Sequence, residues 1–179
     1  MLLKTWLETE GDLIARRWLS EVRTLLGQPE ELEDGLLAAF LPQMVRLLPH
    51  CLGEQKDAAL EVWQQAAHLY GSVGLQRGLA AGEVVEEVGL LRECILKLLL
   101  DDGSGRWGDR AFRRDLLALN RCLDQAVVAA SVAYVDDLFF AHLQGSGVPE
   151  GMSEELEQET KAQLDSFMRE LDLGRDSKR

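Results

Sequence analysis

The chain has 179 residues, 46% hydrophobic and 28% charged, which is ordinary globular usage and excludes wholesale disorder. At that length one domain is the simplest organisation, large enough to bury about two thirds of the surface its unfolded chain exposes. A net charge of −12 argues against nucleic acid, because phosphate binding needs clustered cations, and equally against an anionic membrane surface.

Helical periodicity runs almost throughout, with no β-strand signal and no internal repeat. Leu3, Leu7, Ile14, Trp18, Val22 and Leu25 form one stripe of a helix over about residues 2–26, stopped by Gly27. Pro29 suits the first turn of the next element, which carries Leu37, Phe40, Met44, Leu47 and Cys51. Pro42 lies inside that element, so a kink or two short helices is expected there. A third helix, about 56–77, presents Ala59, Trp63, Ala66, Tyr70 and Val73. The fourth, about 82–100, presents Val84, Val88, Leu91, Ile95 and Leu98, with Glu93 and Lys97 paired on its outer face. Asp101-Asp102-Gly103-Ser104-Gly105 is a break.

The segment from about Asp109 to Leu143 places Phe112, Leu116, Leu119, Leu123, Val127, Ala130 and Tyr134 on one stripe. As a helix it is roughly 50 Å long, more than a small domain covers fully. Leu116 and Leu123 are expected in the core, whereas Val128, Val132 and Val135 lie off the stripe and are available for a second face. Gly145 to Gly151 reads as a flexible joint. Ser153 then has the character of an N-cap for a last helix with a thin apolar stripe of Leu156, Leu164, Phe167 and Leu171. A thin stripe docks on a surface or pairs with another helix, and the final residues from Gly174 are expected to fray.

Enzyme signatures are missing: there is no P-loop, no phosphate-binding glycine turn, no zinc helix and no nucleophile elbow. Glu83, Glu86 and Glu87 read as a solvated helix face. A small enzyme using Glu83, Glu86 or Asp124 is the least favoured class. His50 and Cys51 are adjacent, so a helix points them about 100° apart, and no metal site is expected. His68 is the one haem candidate, but it stands ten positions before Gly78 and reads as a half-buried or surface histidine, so no cofactor is expected. Two basic clusters, Arg16-Arg17 and Arg106, Arg110, Arg113 and Arg114 around Trp107, read as partners for neighbouring carboxylates. Cys51, Cys94 and Cys122 fall within apolar helical patterns and read as buried, reduced thiols. No uninterrupted apolar run approaches the ~18–20 residues of a bilayer span. The N-terminus lacks a signal-peptide layout, so a cytoplasmic location is expected.

The stretch from Leu75 to Ile95 reads as a helix end, a glycine-marked corner at Gly78 and a second amphipathic helix containing Glu86-Glu87-Val88 and Leu90-Leu91-Arg92. Together with Leu119-Asn120-Arg121-Cys122-Leu123-Asp124-Gln125-Ala126-Val127 and the following Ala129, Ala130 and Tyr134, it resembles the N-terminal domain of RsbRD-type co-antagonists of bacterial stress signalling. Similar domains precede histidine kinases. Val88 stands where that pattern has an aromatic residue, and Ala80-Ala81 where it has a polar cap. The resemblance covers about residues 1–143 and implies a helical, non-catalytic input or docking domain that dimerises.

These readings converge on an all-α bundle of five to six helices, with a long penultimate helix and a C-terminal appendage helix. Residues 1–143 form the regulatory domain, 144–152 the joint, and 153–179 the last helix and tail. The expected function is regulation through protein–protein contacts, as a homodimer that meets a further signalling protein. Val128, Val132, Val135, Leu164, Phe167 and Leu171 are the candidate interface residues. The alternative is a sensor that holds haem or an apolar small molecule between helices.

Overall fold

A computed structural model describes residues 3–27, 31–102, 108–145, 147 and 151–176, without the side chains of 31, 32 and 170–176. The Pro29 turn, the Gly103-Ser104-Gly105 break, Arg106, Trp107, Ser146, the 148–150 part of the joint, the Leu171 side chain and the last three residues of the tail lie outside that set. The fold is all α. Among the described residues six helices follow one another: α1 (Leu3–Leu26), α2 (Glu31–Leu47), α3 (Lys56–Gln76), α4 (Ala81–Asp101), α5 (Arg110–Gln144) and α6 (Glu154–Asp176), with a 3₁₀ turn at His50–Leu52. No strand occurs among the described residues.

The stripes read from periodicity are the core. Trp18, Trp63, Tyr70, Phe40 and Leu91 are all at most 1% exposed, and one continuous cluster joins all six helices. Leu25, placed on the α1 stripe by spacing, is instead 38% exposed, while its neighbour Leu26 at the end of α1 packs against the core. Pro42 does not split α2, which continues through it to Leu47. A proline inside a helix costs about 3 kcal/mol. Leu36, Leu37, Phe40, Leu41, Met44, Val45 and Leu47 of that helix are buried, and each large side chain contributes about 1.5–3 kcal/mol, so burial outweighs the defect.

The closest helix pair is α3 against α5. Small residues permit it. A Cβ placed on Gly71 would lie 2.0 Å from the carbonyl oxygen of Ala130 on α5, and Gly74 makes the same room for α4, since its Cβ would lie 2.3 Å from Val84 Cγ2. Two buried hydrogen bonds lock the pair: Trp63 Nε1 donates to the Cys122 carbonyl at 2.8 Å, and Tyr134 Oη donates to the Leu79 carbonyl at 2.7 Å.

The corner after α3 is a Schellman turn. Leu79 N–H donates to the Gly74 carbonyl and Gly78 N–H to the Leu75 carbonyl, with Gly78 at φ +75°. No polar side chain caps α4; the Glu83 carboxylate reaches back to accept from Ala80 N–H at 2.7 Å. Asp109 caps α5 by accepting from Ala111 N–H at 2.8 Å, and Gly145 closes it in the left-handed conformation. Ser153 caps α6 as its position implies, accepting from Leu156 N–H at 3.3 Å. The last helix folds back on α3 and α2.

Candidate functional site

Two features stand apart from ordinary core packing. The first lies under the glycine corner. Arg77, the last residue before Gly78, turns its guanidinium inward, and its side chain has no exposed surface. Its Nη1 and Nη2 donate to the two carboxylate oxygens of Glu87 at 2.8 and 2.7 Å, and its Nε to Glu33 at 2.5 Å. Tyr70 Oη donates to Glu87 Oε2 at 2.6 Å, while Trp18 Nε1 donates to the Glu87 carbonyl at 2.7 Å. Phe40 and Trp18 pack their rings on Tyr70 at centroid distances of 5.5 and 6.0 Å. Four helices, α1 to α4, therefore meet at one buried ion pair.

The solvated-face reading of the α4 acids holds for Glu83 and Glu86, which are exposed, but fails for Glu87, which is fully buried. The sequence did carry a signal: Glu87 lies three residues after Val84 and four before Leu91, within the apolar stripe. Burial works to lower the pKa of Arg77, but hydrogen bonding to Glu87, the Tyr70 and Glu87 charges and the Glu33 contact outweigh it and drive it upward. Burial, followed by the Glu87 charge, pushes the Tyr70 phenol well above its usual range. The side chains of Arg77, Glu87 and Tyr70 are closed to solvent and their hydrogen bonds are mutually satisfied, with only Glu33 at the edge partly exposed. Its chemistry is that of a structural clamp.

The second feature is the outward face of α5. Leu119, Cys122, Leu123, Ala126, Ala130, Ala133 and Tyr134 point inward. On the opposite side Val128, Val132 and Val135 are 62%, 48% and 55% exposed, followed by Phe139, Phe140 and Leu143 at 58%, 57% and 64%. Among the described residues eleven large hydrophobics are exposed and seven of them are on α5, so this is a patch and not a scatter. The helix has 35 residues, about 52 Å, and beyond Tyr134 none of its residues is fully buried, although Leu138 still packs against the core.

Beside Val128 and Val132 lies an open groove of about 1130 Å³, formed by α3, α5 and α6. Leu69, Ala129 and Phe167 supply its remaining apolar lining, while Gln64, Gln65, His68, Ser72, Gln125 and Gln163 give it a polar minority. His68 is exposed on this open wall, without the closed apolar pocket that a haem ligand requires. Asp124, also on the rim, is ion-paired with Arg92.

Of the remaining candidates, Leu164 is 2% exposed and belongs to the core, a correction to its reading as an interface residue. The described part of the α6 stripe, Leu156, Leu164 and Phe167, is buried or half-buried against the chain's own bundle, with Thr160 buried beside it and Phe167 at the groove. Arg17 pairs with Asp101 at 3.9 Å and Arg114 with Asp115 at 3.1 Å. Among the described residues no three His, Cys, Asp or Glu side chains converge to hold a metal ion. The three cysteines are buried thiols, and hydrogen bonding with Cys51, reinforced by burial, raises the Cys122 pKa. Two segments, Glu33–Leu52 and Arg110–Gln144, are long and apolar enough to cross a membrane by length and composition, the first mostly buried in the bundle.

Fold and surface together define an all-α bundle whose longest helix is core on one side and exposed apolar surface on the other. Comparison with family models, with curated proteins and with solved structures finds no match for this chain.

Proposed function

We propose that this chain is a non-catalytic cytoplasmic regulatory protein that works through protein–protein contacts, as a homodimer that also meets a signalling partner. The exposed apolar face of α5 carries this reading. A monomeric soluble protein rarely leaves a contiguous apolar patch of more than a few hundred Å² in water. The resemblance of residues 75–95 and 119–134 to RsbRD-type N-terminal domains supports the same role, since that family docks and dimerises without catalysis. The direct test is affinity capture with the native chain beside Val128→Asp/Val132→Asp, both verified as folded by circular dichroism. Proteins retained by the native chain and lost with the double variant support the proposal. Identical retention by both contradicts it.

The groove beside α5 favours a second reading, a sensor for an apolar small molecule. Native mass spectrometry of the purified protein discriminates the two: a stoichiometric adduct lost on narrowing the groove by Ala129→Trp supports the sensor.

A further inference from the structure

We infer that the partner of the exposed α5 face is a second copy of this chain, docked antiparallel, with the exposed apolar side chains at the C-terminal end of each α5 seated in the groove of the other. This rests on the protein–protein reading above and specifies its geometry.

Val128, Val132, Val135, Phe139 and Leu143 are spaced four, three, four and four apart, so they share one narrow strip of the helix. The strip is nearly palindromic in position. When a two-fold axis passes beside Val135, Val128 faces Leu143 of the second copy, Val132 faces its Phe139, and Val135 faces its Val135. Every small residue then meets a large one or its own equivalent. Such an arrangement is isologous and closes at two copies.

The groove decides the direction. It borders Val128 and Val132, while the bulky side chains stand seven to fifteen residues further on, about 10–22 Å along the helix. Parallel pairing would set groove against groove and Phe139 against Phe139, leaving two cavities unfilled. Antiparallel pairing carries Phe139, Phe140 and Leu143 of each copy to the mouth of the other's groove, where Val128, Val132 and Phe167 receive them. The six exposed side chains, from Val128 to Leu143, present on the order of 600 Å² per copy. Groove walls add to this, approaching the ~800 Å² per partner of a standard stable interface. Each groove is thus completed by residues that only the other copy supplies.

Cysteine pairing reads the register. Val132→Cys and Phe139→Cys chains are prepared separately, confirmed as helical, and mildly oxidised alone and as a mixture. Val135→Cys and the native chain run alongside, the native cysteines being buried. The expected result is a mixed 132–139 dimer far in excess of either self-linked dimer, efficient self-linking at 135, and none for the native chain. Efficient self-linking of Phe139→Cys alone overturns the antiparallel register and leaves dimerisation standing. A native mass of 20.0 kDa by light scattering at all micromolar concentrations overturns the inference entirely. In that case the capture experiment still decides separately whether α5 meets a different protein.

Discussion

Removing Arg77 strands a carboxylate in the centre of the bundle. Glu87 accepts three side-chain hydrogen bonds, two of them from Arg77, and neither side chain has exposed surface. Arg77→Met keeps the apolar stem and deletes the charge, leaving Glu87 with Tyr70 alone, while Glu33, at 15% exposure, still reaches water. Breaking a buried pair in this way costs about 3–5 kcal/mol, against a total stability of about 5–15 kcal/mol. For a chain of this length that loss corresponds to a fall in Tm of roughly 6–20 °C. The double change Arg77→Met/Glu87→Leu removes both charges and should recover at least half of the loss. It will not recover all of it, because Tyr70 loses its acceptor at a cost of about 1–3 kcal/mol. Urea denaturation followed by circular dichroism, at one fixed protein concentration, gives the three midpoints. The clamp account fails if Arg77→Met lies within about 1 kcal/mol of the native chain, or if the double variant is no more stable than Arg77→Met.

Gly71→Ala should destabilise by about 1–3 kcal/mol despite alanine's better helix propensity, since its Cβ meets backbone of α5, whereas Gly89→Ala, with nothing within 4 Å, should gain up to about 1 kcal/mol by the same denaturation assay. The Tyr70 phenol is held above its unfolded value by burial and the Glu87 charge, so its contribution is complete below about pH 10 and is lost as pH rises toward the folded value. Stability of the native chain should therefore fall more steeply than that of Tyr70→Phe between about pH 10 and pH 11, and parallel curves would refute the assignment. Deleting residues 153–179 should preserve helicity per residue in the far-ultraviolet spectrum but lower stability by about 2–5 kcal/mol, because Leu164 leaves the core; a molten product would mean that α6 is integral to the fold.

Periodicity made most of the architecture readable. Three- and four-residue spacing marks a buried stripe wherever the facing surface is apolar, and so Trp18, Phe40, Trp63, Tyr70, Leu91 and Leu123 were all placed correctly in the core. The two faces of α5 were equally legible, since Val128, Val132 and Val135 break the stripe and stand in water. Glu87 was misread although it falls on the apolar stripe of α4, because a carboxylate on an acidic helix looks solvated unless its buried cation is known, and Arg77 sits across a turn. Leu164 was misread for a related reason. A stripe with one large residue per turn says that a helix docks but not on what, and α2 and α3 of the same chain turned out to be the surface. The groove is a tertiary product of three helices, and no local spacing announces it.

The central claim is that the exposed face of α5 exists to be covered by another copy of the chain. Light scattering behind size exclusion, at micromolar concentration, measures this directly for the native protein and for Val132→Asp. A mass near twice 20.0 kDa for the native chain, falling to 20.0 kDa for the folded variant, is the expected result. A native mass of 20.0 kDa throughout, or a dimer indifferent to the charge at position 132, would contradict it.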